Sequence, residues 1–315
     1  MRDSHFDMKS TKLLTVVIVS CLAMAGALVL VTNSADASDD VNICVTLPWQ
    51  KEMLDLIGGG KVRVTQFVGP GADPHGGDQG TVSDLVSASR SIAYFYIGAN
   101  MEWETTNIPL LRSSFPDMPF INMSTGLTFL AAEDECDEHG HDDHEHETID
   151  GHVWTSPANL LIMAGNVRDA LIELDGENSV IYEAGFLSYV DRVNDIRDLA
   201  DDVLGANEGN KFLVWHAAWR YLCNDYGLIE VSMESDYSGE LTAGDLVDIR
   251  QMIIDEGMET IFVRPDDPVW KDGAKSFLES GGISVLQANP LAIDYLDELE
   301  RFITALENSW IEGTG

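Results

Sequence analysis

The stretch Asn178–Leu204 most constrains what this chain can fold into. Tyr182, Phe186, Tyr189, Val193, Ile196, Leu199 and Val203 recur along it at three- and four-residue steps, the apolar face of one long helix. At about 1.5 Å rise per residue such a helix is roughly 40 Å long, enough to run the length of a pair of lobes. Short strand-like runs alternate with helical stretches on both sides of it. Before it come strands at Val41–Thr46, Lys61–Val68, Ser91–Ile97 and Phe120–Met123, with helices near Gln50–Ile57 and Ser83–Arg90. After it come strands at Lys211–Trp215, Leu228–Met233, Thr260–Val263 and Ile283–Gln287, with helices near Ala217–Asp225, Thr242–Glu256, Pro268–Ser280 and Leu291–Asn308. Alternation of this kind predicts mainly parallel sheets. The expected fold is therefore α/β: two lobes with mainly parallel sheets flanked by helices, joined by one long helix. The expected boundaries are an N-terminal lobe over 38–177, the linking helix over 178–205 and a C-terminal lobe over 206–315. A chain of 315 residues, 45% of them hydrophobic, can fill cores of that size.

The amino terminus sets the expected address. Lys9 and Lys12 precede the uncharged run Leu13–Val31, and Ala35-Asp36-Ala37 offers a small-x-small cleavage site. Residues 1–37 read as a secretory signal, and the run 13–31 is also just long enough to serve as an uncleaved membrane anchor. The remainder is expected to work outside the cytoplasm. Charge then removes two classes of partner. With 18 Lys+Arg against 54 Asp+Glu the formal charge is −36, a field that repels nucleic acid and gives anionic lipid no basic footing. Contact with the membrane is expected only through the N-terminal segment or a membrane partner.

Residues 133–150 break the strand–helix pattern. Ten carboxylates and four histidines (His139, His141, His144, His146) leave too little apolar surface to fold, so a disordered loop is expected. The loop either captures metal at the surface and passes it inward or is a solvated linker. Cysteines carry little: Cys44, Cys136 and Cys223 are widely spaced without a CxxC, Cys44 reads as a small core residue, and no disulfide framework is expected.

Histidine placement is the sharpest chemical signal. Outside the leader and the acidic loop the chain has three, His75, His152 and His216. His75 follows the second strand, His216 ends the strand Lys211–Trp215, and His152 lies between the loop and a helix. Ligand sites in open α/β sheets form beyond the carboxyl ends of strands. Three imidazoles meeting there suit Zn²⁺, which takes neutral nitrogen ligands in a tetrahedral shell. Each histidine taken singly is as readily a hydrogen-bonded surface residue, and both readings stand on spacing alone. No GxSxG elbow, HExxH, P-loop or Rossmann glycine pattern supports catalysis.

Together these segments resemble the cluster A-I (ZnuA/TroA-like) metal-binding proteins of ABC transporters, from about Val41 to the end of the chain. Gly69-Pro70-Gly71-Ala72-Asp73-Pro74-His75 is similar to that family's first ligand loop, and Gly98-Ala99-Asn100-Met101-Glu102-Trp103 to the segment after its next strand. The acidic loop followed by His152-Val153-Trp154 and Pro157 resembles the zinc-type members. His216-Ala217-Ala218-Trp219-Arg220-Tyr221-Leu222 with Tyr226-Gly227-Leu228 resembles the third ligand segment, and Asn289-Pro290-Leu291 the fourth. The resemblance implies His75, His152 and His216 as metal ligands. Two positions depart from the family: Asn289 stands where Asp is common, and Thr155-Ser156 replaces the Asp usual after the second ligand's tryptophan. The fourth ligand is then Asn289, Asp78 or water.

The resemblance further implies a rigid linking helix, a metal held between the lobes and delivery to an ABC permease, without chemical turnover. Three imidazoles and no carboxylate favour zinc; manganese, which prefers oxygen, is the alternative ion. Two rivals accompany this reading: a zinc-dependent hydrolase or hydratase with an open water position, and a surface adhesin or structural protein that uses metal only for stability.

Overall fold

The computed structural model describes residues 40–69, 81–132, 149–233, 241–265 and 273–312. The leader expected at 1–37, His75, Asp78, Cys136 and the acidic stretch 133–148 lie outside the described residues.

Two four-stranded sheets carry the fold. The first contains β1 (Val41–Val45), β2 (Val62–Gln66), β3 (Ala93–Tyr96) and β4 (Phe120–Asn122) in the order β2-β1-β3-β4. The second contains β5 (Lys211–Val214), β6 (Ile229–Ser232), β7 (Thr260–Val263) and β8 (Ser284–Gln287) in the order β6-β5-β7-β8. All pairings between these strands are parallel, as strand–helix alternation predicts. In each sheet the strand order reverses beside the first strand, so a crevice opens beyond the carboxyl ends of β1/β3 and again of β5/β7.

The helices are α1 (Pro48–Gly58), α2 (Val82–Ala88), α3 (Glu102–Ser114), α4 (Pro157–Leu174), α5 (Ser179–Val203), α6 (Arg220–Tyr226), α7 (Ala243–Asp255), α8 (Ala274–Ser280) and α9 (Tyr295–Glu312). Local signals explain their ends. Pro48 and Pro157 occupy first turns, where a missing N–H costs nothing. Thr81 and Thr242 accept from the N–H groups of Asp84 and Asp245, and those carboxylates accept from the cap N–H groups in return.

Three elements differ from the sequence expectation. Helix α3 was not anticipated, because Pro109 lies inside it and its buried face (Trp103, Glu104, Asn107, Leu111) is half polar. Helix α6 begins at Arg220 instead of Ala217, since the N–H groups of Ala218 and Trp219 are bonded elsewhere. Helix α9 begins at Tyr295 instead of Leu291, because Asn289 starts a turn in which its Oδ1 accepts from Leu291 N. Cys44 is fully buried as expected, and burial pushes its thiol pKa up to about 11.

The long helix α5 is the spine. It spans about 37 Å and packs against α1 and α4 on one side and α9 on the other. Tyr182, Tyr189, Val193, Ile196, Ala200 and Val203 are its buried residues. They belong to one core that runs from Ile43 and Trp49 through to Phe212, Trp219 and Phe302 in the second lobe. Gly185 permits the close crossing with α1: a Cβ there would sit 2.3 Å from the Ile57 carbonyl oxygen and 2.7 Å from that of Leu56. Arg192 on α5 adds ion pairs to Asp297 and Glu300 on α9. Among the described residues no helix is long and apolar enough to cross a membrane.

A half-buried acid also ties α1 to α9. The Glu52 carboxylate accepts from the N–H groups of Tyr295 at 2.9 Å and Leu296 at 3.2 Å. Burial pushes its pKa up to about 7, against the lowering effect of those two bonds, with Asp297 and Asp294 adding to the rise.

Two predictions follow from this packing. Gly185→Ala should cost about 1–3 kcal/mol through overpacking, whereas Gly165→Ala on α4, where a Cβ meets nothing within 4 Å, should be neutral or slightly stabilising; thermal melts of the two variants check this. Glu52 binds its proton more tightly in the folded than in the unfolded chain. Its contribution to stability is therefore full below the ordinary glutamate pKa and is lost as pH rises through about 7. Glu52→Gln should flatten the stability profile between those limits, read by urea melts across pH.

Candidate metal centre

Two of the sequence-predicted residues meet. His152 ends the segment from the acidic stretch and opens a 3₁₀ turn, Val153–Thr155, leading into α4. His216 lies two residues beyond β5, at the switch point of the second sheet. Their Nε2 atoms are 3.5 Å apart, with the rings nearly edge to face at 73°. Two nitrogens in a tetrahedral shell of radius about 2.0–2.1 Å are separated by roughly 3.3–3.4 Å. The observed separation is close to that value and is also within reach of a direct hydrogen bond between the rings.

The His152 ring is oriented from behind. Asp150 Oδ1 lies 3.0 Å from His152 Nδ1 and accepts from the His152 backbone N–H at 2.7 Å. A carboxylate on Nδ1 holds the proton there and turns the Nε2 lone pair outward, the arrangement that supports a metal-binding imidazole. Burial pushes the Asp150 pKa up, but the contacts with His152, together with nearby Arg220, outweigh it and the net shift is downward. Two residues further on, Trp154 is fully buried, stacks on Trp49 and donates to the Pro290 carbonyl at 2.8 Å.

Polar contacts fasten the lobes around this pair. Ser156, the N-cap of α4, donates to Asp225 on α6 at 2.5 Å. The Tyr221 hydroxyl accepts from Leu130 N at 3.1 Å and donates to the Asp150 carbonyl at 3.0 Å. Leu130 and Asp150 flank the antiparallel bridge Ala131–Ile149, so both ends of the acidic stretch are held beside His152. An open cavity of about 870 Å³ lies here, walled by Met101, Asp150 and His152 on one side and Ala217, Arg220 and Glu230 on the other.

The remaining candidates are placed differently. His75 and Asp78 lie outside the described residues. Asn289 sits in the loop that contacts Trp154; its N–H donates to Glu298 at 2.8 Å and its Oδ1 accepts from Leu291 N at 3.0 Å. Among the described residues no three His, Cys, Asp or Glu side chains gather into a metal-holding group. Sequence reasoning missed Asp150 as a partner of His152 and Glu230 as a neighbour of His216. The second carried a signal: an acid inside the strand-like run Ile229–Ser232.

Fold and site together define a class: a two-lobed α/β binding protein on a helical spine, with imidazoles facing each other where the lobes meet. The chain belongs to the ZnuA family, described as the periplasmic component A of a zinc-uptake complex, which it matches over residues 43–309. It is 23% identical over 298 residues to the zinc-binding lipoprotein AdcA of Streptococcus pneumoniae, an alignment covering 90% of this chain and 58% of AdcA. The chain thus spans a little over half the length of that curated relative. The crystal structure of a ZnuA deletion mutant with zinc bound superposes with a TM-score of 0.71 at 25% identity, covering 86% of this chain and 98% of that one. The periplasmic zinc-binding protein TroA of Treponema pallidum shares the fold, with a TM-score of 0.66 at 15% identity over 86% of this chain and 99% of its own.

The contacts of Tyr221 generate a prediction. Tyr221→Phe strips the Leu130 N–H of its acceptor and should cost about 1–2 kcal/mol. Hydrogen exchange should quicken at the Leu130 amide and leave β1 unchanged.

Proposed function

We propose that this chain is the extracytoplasmic component of an ABC importer, which captures one Zn²⁺ between its lobes and delivers it to a membrane permease. The observation that carries this reading is the 3.5 Å approach of His152 Nε2 and His216 Nε2, one from each lobe. His152, His216 and His75 are the proposed ligands, with Asn289, Asp78 or water completing the shell. The ion is cargo. Membership of a family described as a zinc-uptake component supports transport over a hydrolytic or hydrating use of the same zinc. Imidazole donors also favour zinc over manganese.

The lobe-spanning ligand pair supplies a physical mechanism of capture. An ion that binds both lobes closes the crevice by joining them, and the shared core along α5 confines the motion to small tilts. Release requires only that one lobe's ligand be drawn away. Protons compete with the ion, because a ligating imidazole must be neutral.

Competition titration with a chromophoric chelator tests the reading. The protein should take up one zinc tightly. Alanine at His75, His152 or His216 should each weaken binding more than about a hundredfold, since loss of an outer partner alone typically costs 10–100-fold. Affinity should fall as pH drops below about 6, where histidines protonate. Deletion of Asp134–Glu147 should spare the tight site and remove only weaker ones. Unchanged affinity in the His152 or His216 variant, or turnover of an ester or of carbon dioxide, would refute the proposal.

A further inference from the structure

Glu230 is an anomaly in its own strand. It lies within β6, where β5 and β6 pair in parallel with Phe212 opposite Glu230. A carboxylate buried there without partners would be costly. Its partners are two backbone N–H groups: Oε1 accepts from Ala218 N at 3.0 Å and from Trp219 N at 3.1 Å, and Oε2 lies 3.2 Å from the latter. Those donors stand just ahead of α6, whose N-cap Trp219 supplies no side-chain acceptor.

The neighbouring strand β7 and the residue just past β6 hold the segment from its other end. Trp215 N donates to the Phe262 carbonyl at 2.8 Å, and the Trp215 carbonyl accepts from Met233 N at 3.3 Å. The Trp219 ring is fully buried and stacks on Phe302 with centroids 4.0 Å apart. Residues 215 and 218–219 are thus pinned, and His216 with Ala217 spans the gap between the pins. A span of two residues between fixed ends has little freedom to swing its side chain away.

We infer that Glu230 is a positioning residue for the cargo site: its carboxylate brackets the Ala218 and Trp219 N–H groups and thereby fixes His216 at the spacing from His152 that zinc binding needs. The inference rests on the reading of His216 as a ligand. It concerns geometry and not charge, because one oxygen, Oε1, reaches both N–H groups and a carboxamide oxygen can do the same.

Zinc affinity of the full chain, measured by chelator competition in four variants, tests it. Glu230→Ala should weaken zinc about 10–100-fold, the range for loss of an orienting partner, whereas Glu230→Gln should stay within about threefold of the parent. Cobalt(II) bound in place of zinc adds a readout that general destabilisation would not move. Its visible bands should shift in Glu230→Ala and be restored in Glu230→Gln. Equal losses in the two variants would overturn the bracket in favour of a charge effect, and parental affinity in Glu230→Ala would overturn it outright. His216→Ala separates the two ideas: parental affinity there refutes the ligand reading itself. Where Glu230→Ala does not fold, Glu230→Asp draws the acceptor back by one methylene and serves the same purpose. Weakened zinc then supports the bracket, and parental affinity overturns it.

Discussion

The apolar face of α5 is the constraint on which the crevice depends. The second lobe has a core of its own around Leu213, Trp215, Ile249 and Ile261, but the buried residues of α5, from Tyr182 to Val203, belong to one core that both lobes share. Opening the lobes widely would expose part of that shared core, and close-packed interiors resist such loss. Polar contacts lie along the same seam: Glu52 to the start of α9, Trp154 to Pro290, Ser156 to Asp225. Packing and these bonds set the crevice width before any ion arrives. The separation of His152 and His216 is then a property of the fold, and little ordering is left for the ion to impose.

Two imidazoles at 3.5 Å also restrict each other's tautomers, since an N–H on each facing nitrogen would set donor against donor. Asp150 resolves the conflict on one side by drawing the proton of His152 to Nδ1. Burial pushes the Glu230 pKa up to about 7, against the lowering effect of its bonds from Ala218 and Trp219 and of nearby His216. Acids thus stand behind the imidazoles and not between them. A divalent cation in the gap meets nitrogen lone pairs first and carboxylate charge second.

Much of the fold was legible in the sequence, for identifiable reasons. The spine was visible because seven apolar residues kept a helical step over its whole length, and the parallel sheets because short apolar runs alternated with helices. Helix α3 was not visible, since Pro109 and a half-polar buried face hide its period. The starts of α6 and α9 were misjudged because side chains distant or local, Glu230 and Asn289, divert the backbone N–H groups that a helix would otherwise use. His152 and His216 stood out by scarcity, being two of only three histidines outside the leader and the acidic loop. Abundance concealed the acids: among 54 Asp and Glu residues nothing in the sequence marks Asp150 or Glu52 as partners, and Glu230 shows only as an acid inside a strand-like run. Their roles come from tertiary contacts alone.

A chain of charge −36 attracts every cation, so field strength gives it no choice among metals. Selection has to come from which donor atoms the crevice presents. Among the described residues four carboxylates near the strand ends are occupied. Asp150 accepts from His152, Glu230 from Ala218 and Trp219, Glu104 from Ile97 and Gly98, and Glu298 from Asn289. Magnesium and calcium need several oxygen ligands, and these four carboxylates are turned toward backbone N–H groups. What faces across the gap is imidazole nitrogen, which suits zinc and offers hard cations little. On the proposed reading the acidic exterior and the paired imidazoles therefore do separate work: the first concentrates cations near the surface within a Debye length of about 8–10 Å, and the second decides which of them stays.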